Sequence, residues 1–254
     1  MNNPQGRLSN LLIVLVCLTV VVPVGIGESR AADLQSAPGT QPNSSSTNSP
    51  SLADIRKAFA EARTVFARFT QERHLSLFSE PLRSEGFLFS ENPGRLRWEV
   101  TQPYRSILVS DGRGVAQFEW IEGRWQKLEL GLADALQAVL DQIGHVVQGR
   151  YASGKDDYLV TADRDRDGPV LTLVPRADRM RRVIQAVEVR LAADLRGTRQ
   201  VFLRETTGDF TRIEFTDQRI NAGFPPGTFD RTKPLPLDTI RNHLTPAAGS
   251  VPTP

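Results

Sequence analysis

One short segment limits what this chain can fold into. Leu96, Trp98 and Val100 alternate with Arg95, Arg97 and Glu99, a period of two that gives one apolar and one charged face. By that alternation Arg97 points outward. Pro93-Gly94 before the segment and Gln102-Pro103 after it punctuate its ends. Further strands are predicted over residues 74–78, 82–89, 105–110 and 115–120, and again over 158–162, 170–174, 183–191, 199–205 and 212–216. Asp111-Gly112 supplies a hairpin turn between two of them.

Two stretches follow a helical period instead. Leu52, Ile55, Phe59, Ala62, Phe66 and Phe69 recur at steps of three and four, which predicts an amphipathic helix over residues 52–69 with an aromatic stripe. Leu132, Leu136, Val139, Leu140, Ile143 and Val147 predict a second helix. The order helix, strands, helix, strands is that of a mainly β chain of the α+β class. Antiparallel neighbours joined by short turns suit a meander that curls into a barrel, and if the helices close its mouth they enclose an apolar cavity. Such a cavity suits fatty chains, because each buried CH₂ contributes about 0.8 kcal/mol. A fully packed core would carry the same pattern.

The ends read differently. Arg7, the apolar run from Leu11 to Val22, and Ser29-Arg30-Ala31 have the order of a secretory signal peptide, expected to span residues 1–31 and to deliver a soluble periplasmic protein. The only cysteine, Cys17, lies inside that run behind Val16, so a lipid anchor, disulfides and thiolate metal sites are not expected. Residues 32–51 read as a flexible Ser-, Pro- and Asn-rich linker, 52–231 as one domain, and 232–254 as a Pro-rich disordered tail. The formal net charge of +2 drops by one once Arg7, Glu28 and Arg30 leave, which recommends neither nucleic acid nor an anionic surface as partner.

Reactive chemistry has little to work with. Asp163, Asp165, Asp167 and Gly168 resemble the opening of a calcium loop, but the twelfth position is Val174 where a bidentate glutamate is needed, so a solvated hairpin turn is expected. His74, His145 and His243 lack metal-ligand spacing, Ser110-Asp111 lacks a glycine-flanked elbow, and Glu80, Glu85 and Glu99 read as scattered acids. No catalytic residue, metal or cofactor is expected. Arg176, Arg179, Arg181 and Arg182 read as a solvated turn, with a docking patch for an acidic partner as the alternative.

The stretch from Phe69 to Gly112 carries Phe69-Thr70-Gln71, Gly86 among alternating large residues, a proline, a strand with Trp98, the Thr101-Gln102-Pro103 corner, and Ile107 to Gly112 ending in Ser-Asp-Gly. In this order it resembles the outer-membrane lipoprotein carrier family, the LolA-like proteins, and the likeness extends more thinly over the whole domain. The resemblance implies an unclosed β-barrel with lid helices and no enzymatic activity. It also implies acylated lipoprotein or another envelope lipid as cargo, an inner-membrane transporter as donor and an outer-membrane receptor as acceptor. A monomer is expected. The candidate lipid-binding residues are Ile55, Phe59, Ala62, Phe66 and Phe69 with Leu136, Leu140 and Ile143 on the helices, and Phe87, Phe89, Leu96, Trp98 and Val100 on the strands. The family's lid-clasping arginine falls at Asn92, whose single amide cannot reproduce a five-donor fork. The other readings are an envelope-stress sensor or scaffold built on the same barrel, which usually carries a second domain, and a periplasmic hydrolase.

Overall fold

The computed structural model describes residues 50–92, 94–128, 158–176 and 178–244. Its frame is one antiparallel sheet of eleven strands: β1 (Thr64–His74), β2 (Leu82–Glu91), β3 (Arg95–Gln102), β4 (Ser106–Asp111), β5 (Val115–Ile121), β6 (Arg124–Leu128), β7 (Tyr158–Asp165), β8 (Gly168–Pro175), β9 (Ile184–Leu191), β10 (Thr198–Glu205) and β11 (Phe210–Ile220). The spatial order is β6-β5-β4-β3-β2-β1-β11-β10-β9-β8-β7, so β1 and β11 meet in the middle and the sheet does not close on itself. This is the unclosed half-barrel that the family resemblance implies. Among the described residues three short helices accompany it: α1 (Leu52–Ala60), α2 (Asp178–Arg181) and α3 (Leu237–Asn242).

The first helix is shorter than its spacing predicts. Ser51 caps it: the Asp54 amide donates to Ser51 Oγ at 3.1 Å, and the Ser51 amide donates back to Asp54 Oδ2 at 3.2 Å. The helix ends at Ala60, and β1 begins four residues later. Thr64, Val65, Phe66 and Phe69 are β-branched or aromatic, and β1 is hydrogen-bonded on both sides, to β2 and β11. Tertiary pairing therefore overrides a helical spacing that ran by chance across a helix, a turn and a strand. Residues 74–78, expected as a strand, are instead the end of β1 and a loop whose Leu77 is exposed. The helix expected over residues 132–147 lies outside the described residues.

β6 was not expected. Its signal is the two-residue turn Glu122-Gly123, with φ of 51° and 78°, which joins paired Trp120 and Trp125. Positive φ at both central residues marks the hairpin turn whose twist matches the strands.

Alternation gives the sheet two faces. On one, the rows Phe66–Phe89–Arg97–Val109–Ala116 and Phe87–Glu99–Ile107–Phe118 run across β1 to β5. The chain's own C-terminal segment covers this face. Phe229, Leu235, Leu237, Ile240 and Leu244 pack against the rows, so the chain stays packed to Leu244, past the tail boundary expected at residue 232. Arg97 was expected to face outward into solvent, yet it is 1% exposed. Its guanidinium donates to Glu99 Oε2 at 2.6 Å, to the Leu235 carbonyl at 2.7 Å and to the Thr228 carbonyl at 3.3 Å. Alternation correctly assigns the face, but what covers a face depends on distant chain.

Candidate lipid-binding face

The opposite face, marked by Trp98, is apolar over two fields. Near β3 and β4, Phe69, Trp98, Val100 and Leu108 pack with Ile213 and Phe215. Phe69 stacks on Trp98 with ring centroids 3.9 Å apart, and Phe215 meets Trp98 edge-on at 6.3 Å. Phe69 takes this place because Gly86 opposes it on β2: a Cβ there would lie 2.8 Å from the Phe69 ring and 1.9 Å from the Glu99 carbonyl oxygen. The second field spans β8 to β10, where Leu171, Leu173, Val189 and Leu191 pack with Ile55 of α1. The row Leu171–Val189–Val201–Ile213 joins the two fields through the strand pairing.

Beside the aromatic field, polar side chains break the face. The same row continues from Ile213 to Gln71 and Ser84, and its neighbour runs Leu203–Thr211–Arg73. Gln71, Ser84, Thr211 and Glu205 are buried. Arg73 and Glu205 form an ion pair at 3.5 Å. Burial pushes the Glu205 carboxyl above its ordinary range, with Arg73 opposing the shift and Asp209 adding to it. On the other face burial likewise raises Glu99, against the pull of Arg97.

The candidate residues divide between the faces. Ile55, Phe69, Leu96, Trp98 and Val100 pack within the clusters of the Trp98 face. Phe66, Phe87 and Phe89 pack instead beneath the C-terminal segment, on the Arg97 face. Phe66 and Phe69 had been expected on one helical stripe; in a strand, residues three apart point to opposite faces. Ala62 is buried in the turn between α1 and β1, and Phe59 lies on α1. Leu136, Leu140 and Ile143 lie outside the described residues.

Asn92 sits in the β2–β3 turn and fastens it to the α1–β1 junction. Its amide N–H donates to the Arg63 carbonyl at 2.8 Å and its Nδ2 to the Ala62 carbonyl at 2.9 Å. Asn221, unremarked in the sequence, holds the same junction: its Nδ2 donates to the Glu61 carbonyl at 3.1 Å and its Oδ1 accepts from the Arg63 amide at 2.8 Å. The acidic turn at Asp165 and Asp167 is a hairpin between β7 and β8, and Arg190 lies 2.5 and 3.6 Å from the two carboxylates.

The geometry is that of an open half-barrel with one apolar, partly polar-lined face. The profile of the family described as outer membrane lipoprotein carrier protein LolA matches residues 60–232, and the chain belongs to that family, whose members are non-enzymatic binding proteins. It is similar to the outer-membrane lipoprotein carrier protein of Bordetella avium, 27% identical over 169 residues, covering 64% of this chain and 73% of that protein. The carrier of Methylococcus capsulatus is 27% identical over 190 residues, 73% of this chain and 86% of its own length. Among solved structures, a LolA superfamily protein from Nitrosomonas europaea superposes with a TM-score of 0.38 at 12% identity, over 70% of this chain and 97% of that one.

Proposed function

We propose that this chain binds the acyl chains of lipoproteins, or of another envelope lipid, on its Trp98 face and shuttles them from the inner to the outer membrane. The observation that carries this reading is the aromatic field of Phe69, Trp98 and Phe215 joined to the aliphatic field of β8 to β10 on one face of the sheet. In this reading the chain is exported by its first 31 residues and works as a soluble periplasmic monomer. An inner-membrane transporter loads it, an outer-membrane receptor unloads it, and Asn92 stands at the family's latch position. Residues 32–51 act as a flexible linker. Support comes from the family match and from the apolar residues that share this face.

The test is a fluorescent acyl probe. Trp98→Asp places a carboxylate in the aromatic field, where an unpaired buried charge costs several kcal/mol, and binding should be abolished. Circular dichroism monitors the fold in parallel. A folded variant that binds as well as the parent overturns the assignment of this face. Export is tested by fractionation with N-terminal sequencing: a product starting near Ala32 in the periplasmic fraction is expected, and recovery only in membranes with Met1 retained refutes it.

A further inference from the structure

We propose that the Trp98 face contains a hydrogen-bonding subsite, formed by Ser84 Oγ and Trp98 Nε1, for the ester or amide carbonyls that link acyl chains to their head group. This rests on the acyl-carrier reading and specifies which part of the cargo is recognised.

The basis is two polar atoms that meet no partner among the described residues. Ser84 is 8% exposed and Trp98 7%, and among the described residues neither Ser84 Oγ nor Trp98 Nε1 has a hydrogen-bond partner. Buried polar atoms in folded proteins are nearly always paired, since an unmet one carries its full desolvation cost. Other buried polar groups of this chain meet that demand. Ser110 Oγ accepts from the Gly112 amide and donates to the Gly94 carbonyl, and Arg97 is served by a carboxylate and two carbonyls. An indole N–H only donates, and the rings nearest Trp98, Phe69 and Phe215, provide no acceptor oxygen.

Both atoms belong to the same face. Ser84 pairs with Gln71, Trp98 with Leu88, and alternation along β2 puts Ser84, Gly86 and Leu88 on one side. Ser84 marks the border where the aromatic field gives way to polar side chains. A pure hydrocarbon bound there would leave both donors unmet, whereas an acyl ester or amide brings carbonyl oxygens to that border. The nearby charges favour a neutral group, because Arg73 is already matched by Glu205 at 3.5 Å.

The experiment compares two competitors of equal chain length for displacement of a pyrene-labelled acyl probe: monopalmitoylglycerol, and hexadecylglycerol, its ether counterpart without the carbonyl. The wild-type protein should prefer the ester by about five- to thirtyfold, the effect of one or two net hydrogen bonds. Ser84→Ala should lower the ester-to-ether ratio, and Trp98→Phe, which keeps an aromatic ring against Phe69, should lower it again towards unity. Equal affinities in the wild-type protein overturn the subsite without needing any variant. An undiminished ratio in a folded double variant overturns the assignment to these two residues. If the probe itself fails to bind the wild-type protein, the carrier reading falls, and the subsite with it.

Discussion

The two faces of the sheet are made from the same strands and finished in opposite ways. The Arg97 face contains a fully buried ion pair, and its charges are met by carbonyls of the chain's own C-terminal segment. The Trp98 face stacks Phe69 on Trp98 at its centre, and Ser84 Oγ and Trp98 Nε1 on it meet no partner among the described residues. A face whose polar groups are satisfied within the chain is structural. One that leaves donors unmet beside an apolar field is suited to a ligand that supplies acceptors and hydrocarbon together. Under the proposed function, the Arg97–Glu99 pair tied to chain carbonyls marks the permanent face, and the unpaired neutral donors mark the exchangeable one.

The strongest way to break the contrast is to disturb the permanent face. Glu99→Gln leaves Arg97 charged, 1% exposed and without its carboxylate. Removing one partner of a buried pair costs about 3–5 kcal/mol, and urea unfolding should show a loss of that size. Replacing both residues, Arg97→Met with Glu99→Leu, should cost less, about 1–2 kcal/mol for the two carbonyls left without a donor. A double variant as unstable as the single one would mean that the pair is not what anchors the C-terminal segment.

Gly86 couples the faces. In Gly86→Ala the new methyl would sit 1.9 Å from the Glu99 carbonyl oxygen and 2.8 Å from the Phe69 ring, so backbone on one side and an aromatic ring on the other must move. Overpacking of this kind costs about 1–3 kcal/mol. Thermal unfolding should show that loss, and acyl-probe binding should weaken with it. Unchanged binding would show that the Phe69–Trp98 stack is not part of the lipid-binding surface.

How much of this was legible in the sequence varies along the chain. Strict alternation in Leu96, Trp98 and Val100 set a face that the register bears out. The aromatic residues around β1 misled, because Phe66 and Phe69 fit a helical stripe, and only pairing on both edges places them in a strand. Arg97 shows a different gap: its face followed from alternation, but its burial depends on Thr228 and Leu235, more than 130 residues away in the chain. Ser84 left no mark in the sequence. Its role emerges only once Gln71 and Phe69 are known to be its neighbours, and no local pattern encodes that.

A smaller effect tests the junction between α1 and the sheet. Asn92→Ala removes the Nδ2 donation to the Ala62 carbonyl, a single partly buried hydrogen bond at 2.9 Å. The expected cost is about 1 kcal/mol, because the backbone bond from Asn92 to Arg63 and the two bonds of Asn221 remain. Hydrogen exchange in α1 should rise while exchange in β3 and β4 stays fixed. A uniform rise across the sheet would mean that Asn92 supports the whole barrel instead of this junction.

The smallest effect concerns pH and the edge of the permanent face. Asp111, in the β4–β5 turn, meets Arg231 of the C-terminal segment, with Arg231 Nε 2.8 Å from Asp111 Oδ2. Burial alone would raise this carboxyl. The amides of Arg113 and Gly114 and the Arg231 guanidinium outweigh it and hold the pKa below the ordinary 3.8. A carboxyl depressed in the folded state adds stability that is present above 3.8 and is lost as pH falls through its folded pKa. Both side chains are about one-third exposed, at 34% and 31%, so solvent screening limits the contribution to less than about 1 kcal/mol. Asp111→Asn should therefore lower the melting temperature slightly at pH 7, and the difference from wild type should shrink as pH is taken below 3.8. The same pair should weaken in high salt, whereas the buried Arg97–Glu99 tether should respond far less. Equal salt sensitivity in Glu99→Gln and Asp111→Asn would erase the distinction between the buried anchor and its exposed edge.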